Sequence, residues 1–112
     1  MIKFTTTVSD QAATVVEATG RLDLVAAPQL KALIKSAVTK GETPVVIGLS
    51  GVTFMDSTGL AALVSGLRVT RQVGSDLRIA GPTFQVLSVL RMTGIDRIIH
   101  SYANVDDALH AA

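Results

Sequence analysis

The run Val45-Val46-Ile47-Gly48-Leu49, set just after Pro44, constrains this chain most. It is rich in β-branched residues and continuously apolar instead of alternating, the pattern of a strand buried on both faces. Such a strand needs cover on two sides, so the rest of the chain must supply layers around it. Its neighbours do. From Ala26 the period changes, and Leu30, Leu33, Ile34, Ala37 and Val38 fall on one helical face. Pro28 sits near that helix start, where its missing N–H costs nothing. Lys40-Gly41 closes the helix with a cation and a C-cap glycine. After Ser57 a second helix carries Leu60, Leu63, Val64 and Leu67 as its stripe, with Arg68, Arg71 and Gln72 toward its end.

The remaining segments complete an α/β order. Ile2, Phe4 and Thr6 alternate with Lys3, Thr5 and Thr7 as a first strand. Ser9-Asp10-Gln11 supplies a turn. Ala13 to Ala18 reads as a second strand ending at Gly20, and the short connection favours a hairpin. Leu77-Arg78-Ile79-Ala80 is a short strand broken by Gly81-Pro82. Thr83 begins a third helix, with Val86, Leu87, Leu90 and Met92 placed inward, that ends at Gly94. Ile98-Ile99 is a short apolar piece, and Asn104 or Asp106 caps a last helix with Val105, Ala108 and Leu109. Right-handed crossovers make the later strands parallel. The expected fold is one α/β domain over 1–112. Its mostly parallel central sheet has four to five strands, an N-terminal antiparallel pair and about four helices.

Composition excludes several functions. The 112 residues, about half apolar, suffice for one core without staples. There is no Cys, so disulfides and thiolate metal sites are excluded. The net charge is +1, aromatics are 4%, and Lys and Arg are scattered, which argues against a nucleic-acid surface. The N-terminus carries no signal-peptide pattern. The apolar runs at 45–49 and 59–64 fall far short of the ~20 residues that span a bilayer. The expectation is a soluble, cytoplasmic monomer, without membrane insertion or bound cofactor. High mean hydropathy fits a core rich in Ala, Val and Leu.

The stretch from Leu49 to Leu60 carries the chemistry. It is read as a buried strand, a polar loop and the start of an apolar helix. Ligands of open α/β sheets gather outside the carboxyl ends of strands, so Asp56 and Ser57 mark the place to look. Ser57 is expected at or next to the helix N-cap. There it is either a structural cap or, because a helix N-terminus favours negative charge, a tolerable site for a phosphoryl group. Asp56 is open between a partner or orienting role and a carboxylate favoured by the helix dipole. Ser57 as a nucleophile with His100 or His110 as base finds no support, because the Gly-x-Ser-x-Gly elbow and a carboxylate orienter are missing. No ligand cluster stands at metal-site spacing.

Phe54-Met55-Asp56-Ser57-Thr58-Gly59-Leu60 resembles the signature loop of STAS domains, specifically of the anti-sigma factor antagonists. Gly20-Arg21-Leu22-Asp23 resembles the family's element after the second strand, and Val45 to Leu49 its central strand. Thr93-Gly94-Ile95 with Ile98-Ile99 resembles its glycine-hydrophobic element and closing strand. The resemblance runs in order along nearly the whole chain. It implies a binding protein, not an enzyme, whose unphosphorylated form binds an anti-sigma factor with serine/threonine kinase activity and frees the sigma factor. Ser57 is the implied phosphoacceptor, with Thr58 as its neighbour. A phosphatase resets the switch, and the ATP belongs to the partner. Arg21, Asp23, Asp56, Ser57, Thr58 and Gly59 are the implied partner-binding residues. Similar domains also serve as accessory subunits of lipid-transport or other membrane complexes and as small-ligand modules. The intact Asp56-Ser57-Thr58-Gly59 favours the antagonist.

Overall fold

In the computed structural model, which describes residues 1–111, the β-branched run after Pro44 opens the middle strand of five. The domain expected over 1–112 includes Ala112, which lies outside the described residues. The strands are β1 (Lys3–Val8), β2 (Thr14–Leu22), β3 (Val45–Met55), β4 (Leu77–Ala80) and β5 (His100–Tyr102). They lie side by side in that same order; β1 is antiparallel to β2 and the others are parallel. The helices are α1 (Ala27–Thr39), α2 (Ser57–Gln72), α3 (Phe84–Thr93) and α4 (Val105–Leu109), with a 3-10 turn at Ile95–Arg97. The architecture is the α/β one expected. No helix among the described residues is long and apolar enough to cross a membrane.

Period-two alternation along β3 sorts the core into two layers. Val45, Ile47 and Leu49 face a large core with Leu30, Ile34, Leu63, Leu67, Val86 and Leu90. Successive crossovers of one hand, all stepping the same way, place α1, α2 and α3 together on that side. Val46 faces the other way, into a small cluster with Val15, Ala80 and Ala108 beneath α4. Gly66 lets α1 and α2 close up. A Cβ there would lie 2.6 Å from Ile34 Cδ1 and 2.8 Å from Leu77 Cδ1, both inside van der Waals contact.

The sheet runs further than the hydrophobic pattern indicates. β2 continues past Gly20 to Leu22, and β3 continues past Leu49 to Met55. The two stay paired to the end, Leu22 opposite Met55, through register shifts between Glu17 and Thr19 and between Gly20 and Arg21. Gly20 bends the strand without ending it. Its φ is +112°, and a Cβ would meet the Met1 carbonyl oxygen at 2.6 Å. The polar loop expected between Leu49 and Asp56 is therefore strand, in which Ser50 and Thr53 are exposed and Val52 and Met55 buried. Two apolar placements also change. Met92 is 86% exposed in the last turn of α3, beyond the core. Ile98 and Ile99 precede the closing strand; only Ile99 is buried, and hydrogen bonding begins at His100.

Candidate functional site

β3 passes into α2 with a single residue between them, Asp56, so the end of the central strand and the start of the helix form one rigid corner. Asp56 has extended backbone (φ −104°, ψ −172°) and is the N-cap of α2. One carboxylate oxygen, Oδ1, accepts from the N–H groups of Thr58 and Gly59 at 3.0 Å each and from the Thr58 hydroxyl at 2.6 Å. The Thr58 hydroxyl, then the Gly59 N–H, hold the Asp56 carboxyl below its ordinary value, against a smaller desolvation effect. The site thus carries a fixed negative charge.

Ser57 stands next to the N-cap, the second of the two placements expected for it. The cap is Asp56, and Ser57 is the first helical residue, exposed. Its hydroxyl enters none of the hydrogen bonds that tie up Asp56, whereas Thr58 is half-buried with its hydroxyl donated to that carboxylate. An N-cap must have non-helical backbone and a side chain that reaches back to the second and third N–H groups, and Asp56 meets both conditions.

Gly59 is buried because α2 starts against β2: a Cβ there would overlap the Leu22 backbone carbonyl. The Asp56 N–H also reaches the Leu22 oxygen, at 3.4 Å. The loop after Leu22 is thereby held beside the α2 corner, and Asp23 organises it. Its Oδ1 accepts from Val25 N (3.1 Å) and Ala26 N (3.3 Å), and its carbonyl accepts from Ala27 N (2.9 Å). Asp23 Oδ2 lies 3.8 Å from Arg21 Nε, and the Arg21 guanidinium sits 4.2 Å from the centroid of the Phe54 ring. The predicted residues therefore form two groups. Asp56, Ser57, Thr58 and Gly59 share the α2 corner. Arg21 and Asp23 line a shallow hollow of about 410 Å³ with Met1, Ile2, Val25 and Gln29. Leu22 connects the two.

Sequence reasoning missed a third contributor, the start of α3. β4 pairs β3 only as far as Gly48, so the later part of β3 has a bare edge on that side. Side chains of α3 and its cap cover it. The Thr83 hydroxyl donates to Val52 O at 2.9 Å; Gln85 Oε1 accepts from Met55 N at 2.9 Å, and Gln85 Nε2 donates to Met55 O at 3.2 Å. Three large apolar residues at these same element ends are exposed: Leu24, Val25 and Phe84. The signal was present. Leu24-Val25 fits neither the strand period before it nor the helix period after it, and Phe84 is out of phase with the Val86–Leu90 stripe.

His100 lies in β5, and His110 follows α4, where its Nδ1 stands 3.4 Å from Asp106 Oδ1; neither belongs to the groups around Ser57. Among the described residues no three His, Cys, Asp or Glu side chains are grouped to hold a metal ion.

The STAS-domain family model matches residues 3–108. The anti-sigma-B factor antagonist of Staphylococcus epidermidis is 30% identical over 81 residues, which are 72% of this chain and 75% of that protein. The crystal structure of an anti-sigma factor antagonist from Mycobacterium paratuberculosis superposes with a TM-score of 0.84 at 28% identity, covering 97% of this chain and 92% of that one. The Bacillus cell fate determinant SpoIIAA in its phosphorylated form shares the fold, with a TM-score of 0.76 at 21% identity and 96% of each chain covered.

Proposed function

The chain belongs to the STAS-domain family, and from that membership we propose that it is an anti-sigma factor antagonist switched by phosphorylation of Ser57. The unphosphorylated protein binds an anti-sigma factor with serine/threonine kinase activity in the cytoplasm. The kinase transfers a phosphoryl group to Ser57, the complex separates, and a phosphatase restores the binding form. This chain acts by binding, without catalysing a reaction.

The observation that carries this reading is the asymmetry of two adjacent hydroxyls. Ser57 projects from the first position of α2 with its oxygen free, while the Thr58 oxygen is held 2.6 Å from Asp56 Oδ1 and shielded. A kinase can reach the first without disturbing the fold, and reaching the second requires breaking the cap. The same geometry supports a switch in charge over a switch in shape. The N–H groups of Thr58 and Gly59, which would otherwise receive a phosphate, already serve Asp56. A dianion on Ser57 then stays on the solvent side beside another negative charge, while the α2 corner remains as it is. Pressed against a fitted partner surface, an unpaired charge costs on the order of 2–5 kcal/mol, or ~30- to several-thousand-fold in affinity. Leu24, Val25 and Phe84 supply the apolar contacts that such an interface needs at its centre.

The test is to map phosphate on protein isolated from its own cells, then to use Ser57→Ala and Ser57→Asp as baits. Phosphate on Ser57, retained in Thr58→Ala and lost in Ser57→Ala, together with an anti-sigma factor captured by the Ala form only, is the expected result. Absence of phosphate under every growth condition, with equal capture by both baits, would reduce Ser57 to the first residue of a helix and favour a lipid-transport or ligand-binding role.

A further inference from the structure

β1 is the outer strand of the sheet and has a partner on one side only. Lys3–Val8 pairs with β2 in unbroken register, from Lys3 opposite Thr19 to Val8 opposite Thr14. The N–H and C=O groups directed away from β2 form an open template for another strand. Protein edges are ordinarily blunted by charges, Pro, bulges or shortness, and β5, at the other edge, is three residues long. From Phe4 to Val8, β1 has no charge, no Pro and no bulge. Thr5, Thr6, Thr7 and Val8 are exposed, and all four are β-branched.

We infer that β1 is a self-association edge, pairing antiparallel with β1 of a second copy to make a ten-stranded sheet about a two-fold axis at Thr6. Symmetry restricts the register. A two-fold axis perpendicular to the sheet keeps every side chain on its own face, and directly opposed residues must share a face. The axis therefore passes through a residue, not between two. With Thr6 on the axis, Thr5 opposes Thr7, Phe4 opposes Val8, and Lys3 opposes Ser9. Phe4 is half-buried against the core, and Val8 is 49% exposed, so each apolar side chain covers the other, twice over. Lys3 opposes the neutral Ser9, so no like charges face each other across the seam. An axis at Thr7 sets Phe4 against Asp10, and one at Thr5 sets Phe4 against Thr6. Only about five residues a side are aligned, far less than the ~800 Å² per partner of a standard interface, so the dimer is weak, with Kd on the order of 100 μM.

Sedimentation velocity of the whole protein from ~10 μM to ~1 mM tests this range. The expected result is a monomer that dimerises with concentration. Thr6→Lys, which sets two like charges across the axis, weakens association at least about tenfold with Tm unchanged. Val8→Lys, which takes the apolar cover off Phe4, weakens it too. Because the chain has no Cys, Thr6→Cys gives a clean oxidative cross-link at the axis, whereas Lys3→Cys does not. A monomer at every concentration overturns the inference. So does a dimer indifferent to Thr6→Lys, or one that cross-links equally through either cysteine, which would point to another surface.

Discussion

At Asp56 a single oxygen receives two backbone N–H groups and one hydroxyl, all of which prefer the ionised form. Its pKa in the folded protein therefore lies below the ordinary 3.8 that the unfolded chain approximates. The sign of the linkage follows. The cap's electrostatic contribution is fully present above about that value and is lost as pH falls through the lower, folded value. Thr58→Val removes the largest cause of the shift, so its acid limb of stability is smaller and ends at higher pH than the wild type's, while its onset, set by the unfolded chain, is unchanged. Asp56→Asn keeps an acceptor for the cap but removes the titrating carboxylate, so it flattens that limb with little change of Tm at neutral pH. Thermal melts from pH 7 down to the acid transition measure both; identical acid limbs for wild type and Asp56→Asn would refute the assignment. Asp23 works at the same scale, since its carboxylate organises the turn that presents Leu24 and Val25.

Among elements, the long β3 decides where the site stands. Its last residues outrun β4, and a primary amide makes up the deficit. Gln85 gives one acceptor and one donor to the two backbone groups of Met55, as a neighbouring strand would. Gln85→Ala strands two half-buried backbone groups and is expected to cost about 1–3 kcal/mol in urea denaturation. It also loosens the start of α3 from the α2 corner, so affinity for an Ser57→Ala-captured partner falls as well. Gln85→Glu keeps the acceptor but sets a carboxylate against the Met55 carbonyl, and no recovery of stability is expected from it. The presence of each element was legible from period and punctuation. Its extent was not, because polar residues such as Ser50 and Thr53 join a strand only when a paired neighbour, here β2, satisfies their backbone.

For the whole molecule, the two faces of the sheet are unequal. Three helices cover one, and the five-residue α4 covers part of the other, fastened by Ala108 against Val46 and Ala80 and by Arg78 Nη1 donating to Ala108 O at 2.9 Å. A charge in that small cluster has no partner, so Ala108→Lys lifts α4 without opening the main core. Hydrogen exchange should then quicken in α4 and β5 while amides of α2 stay protected. Equal loss of protection in α2 would mean that the two layers melt as one.

From the sequence alone came the α/β class, the central strand, the four helices and the chemistry of Asp56-Ser57-Thr58-Gly59, because these depend on local periodicity, capping residues and spacing. Tertiary structure decided which residue caps α2, which hydroxyl is free, and that Gly59 is required by the Leu22 carbonyl. It also decided that Leu24, Val25 and Phe84 are left uncovered. The cap and the free hydroxyl turn on the backbone conformation at Asp56, which the contact of Asp56 and Gly59 with Leu22 holds in place. That contact and the uncovered residues depend on segments distant in the chain, and no local pattern encodes the distance at which two such segments meet.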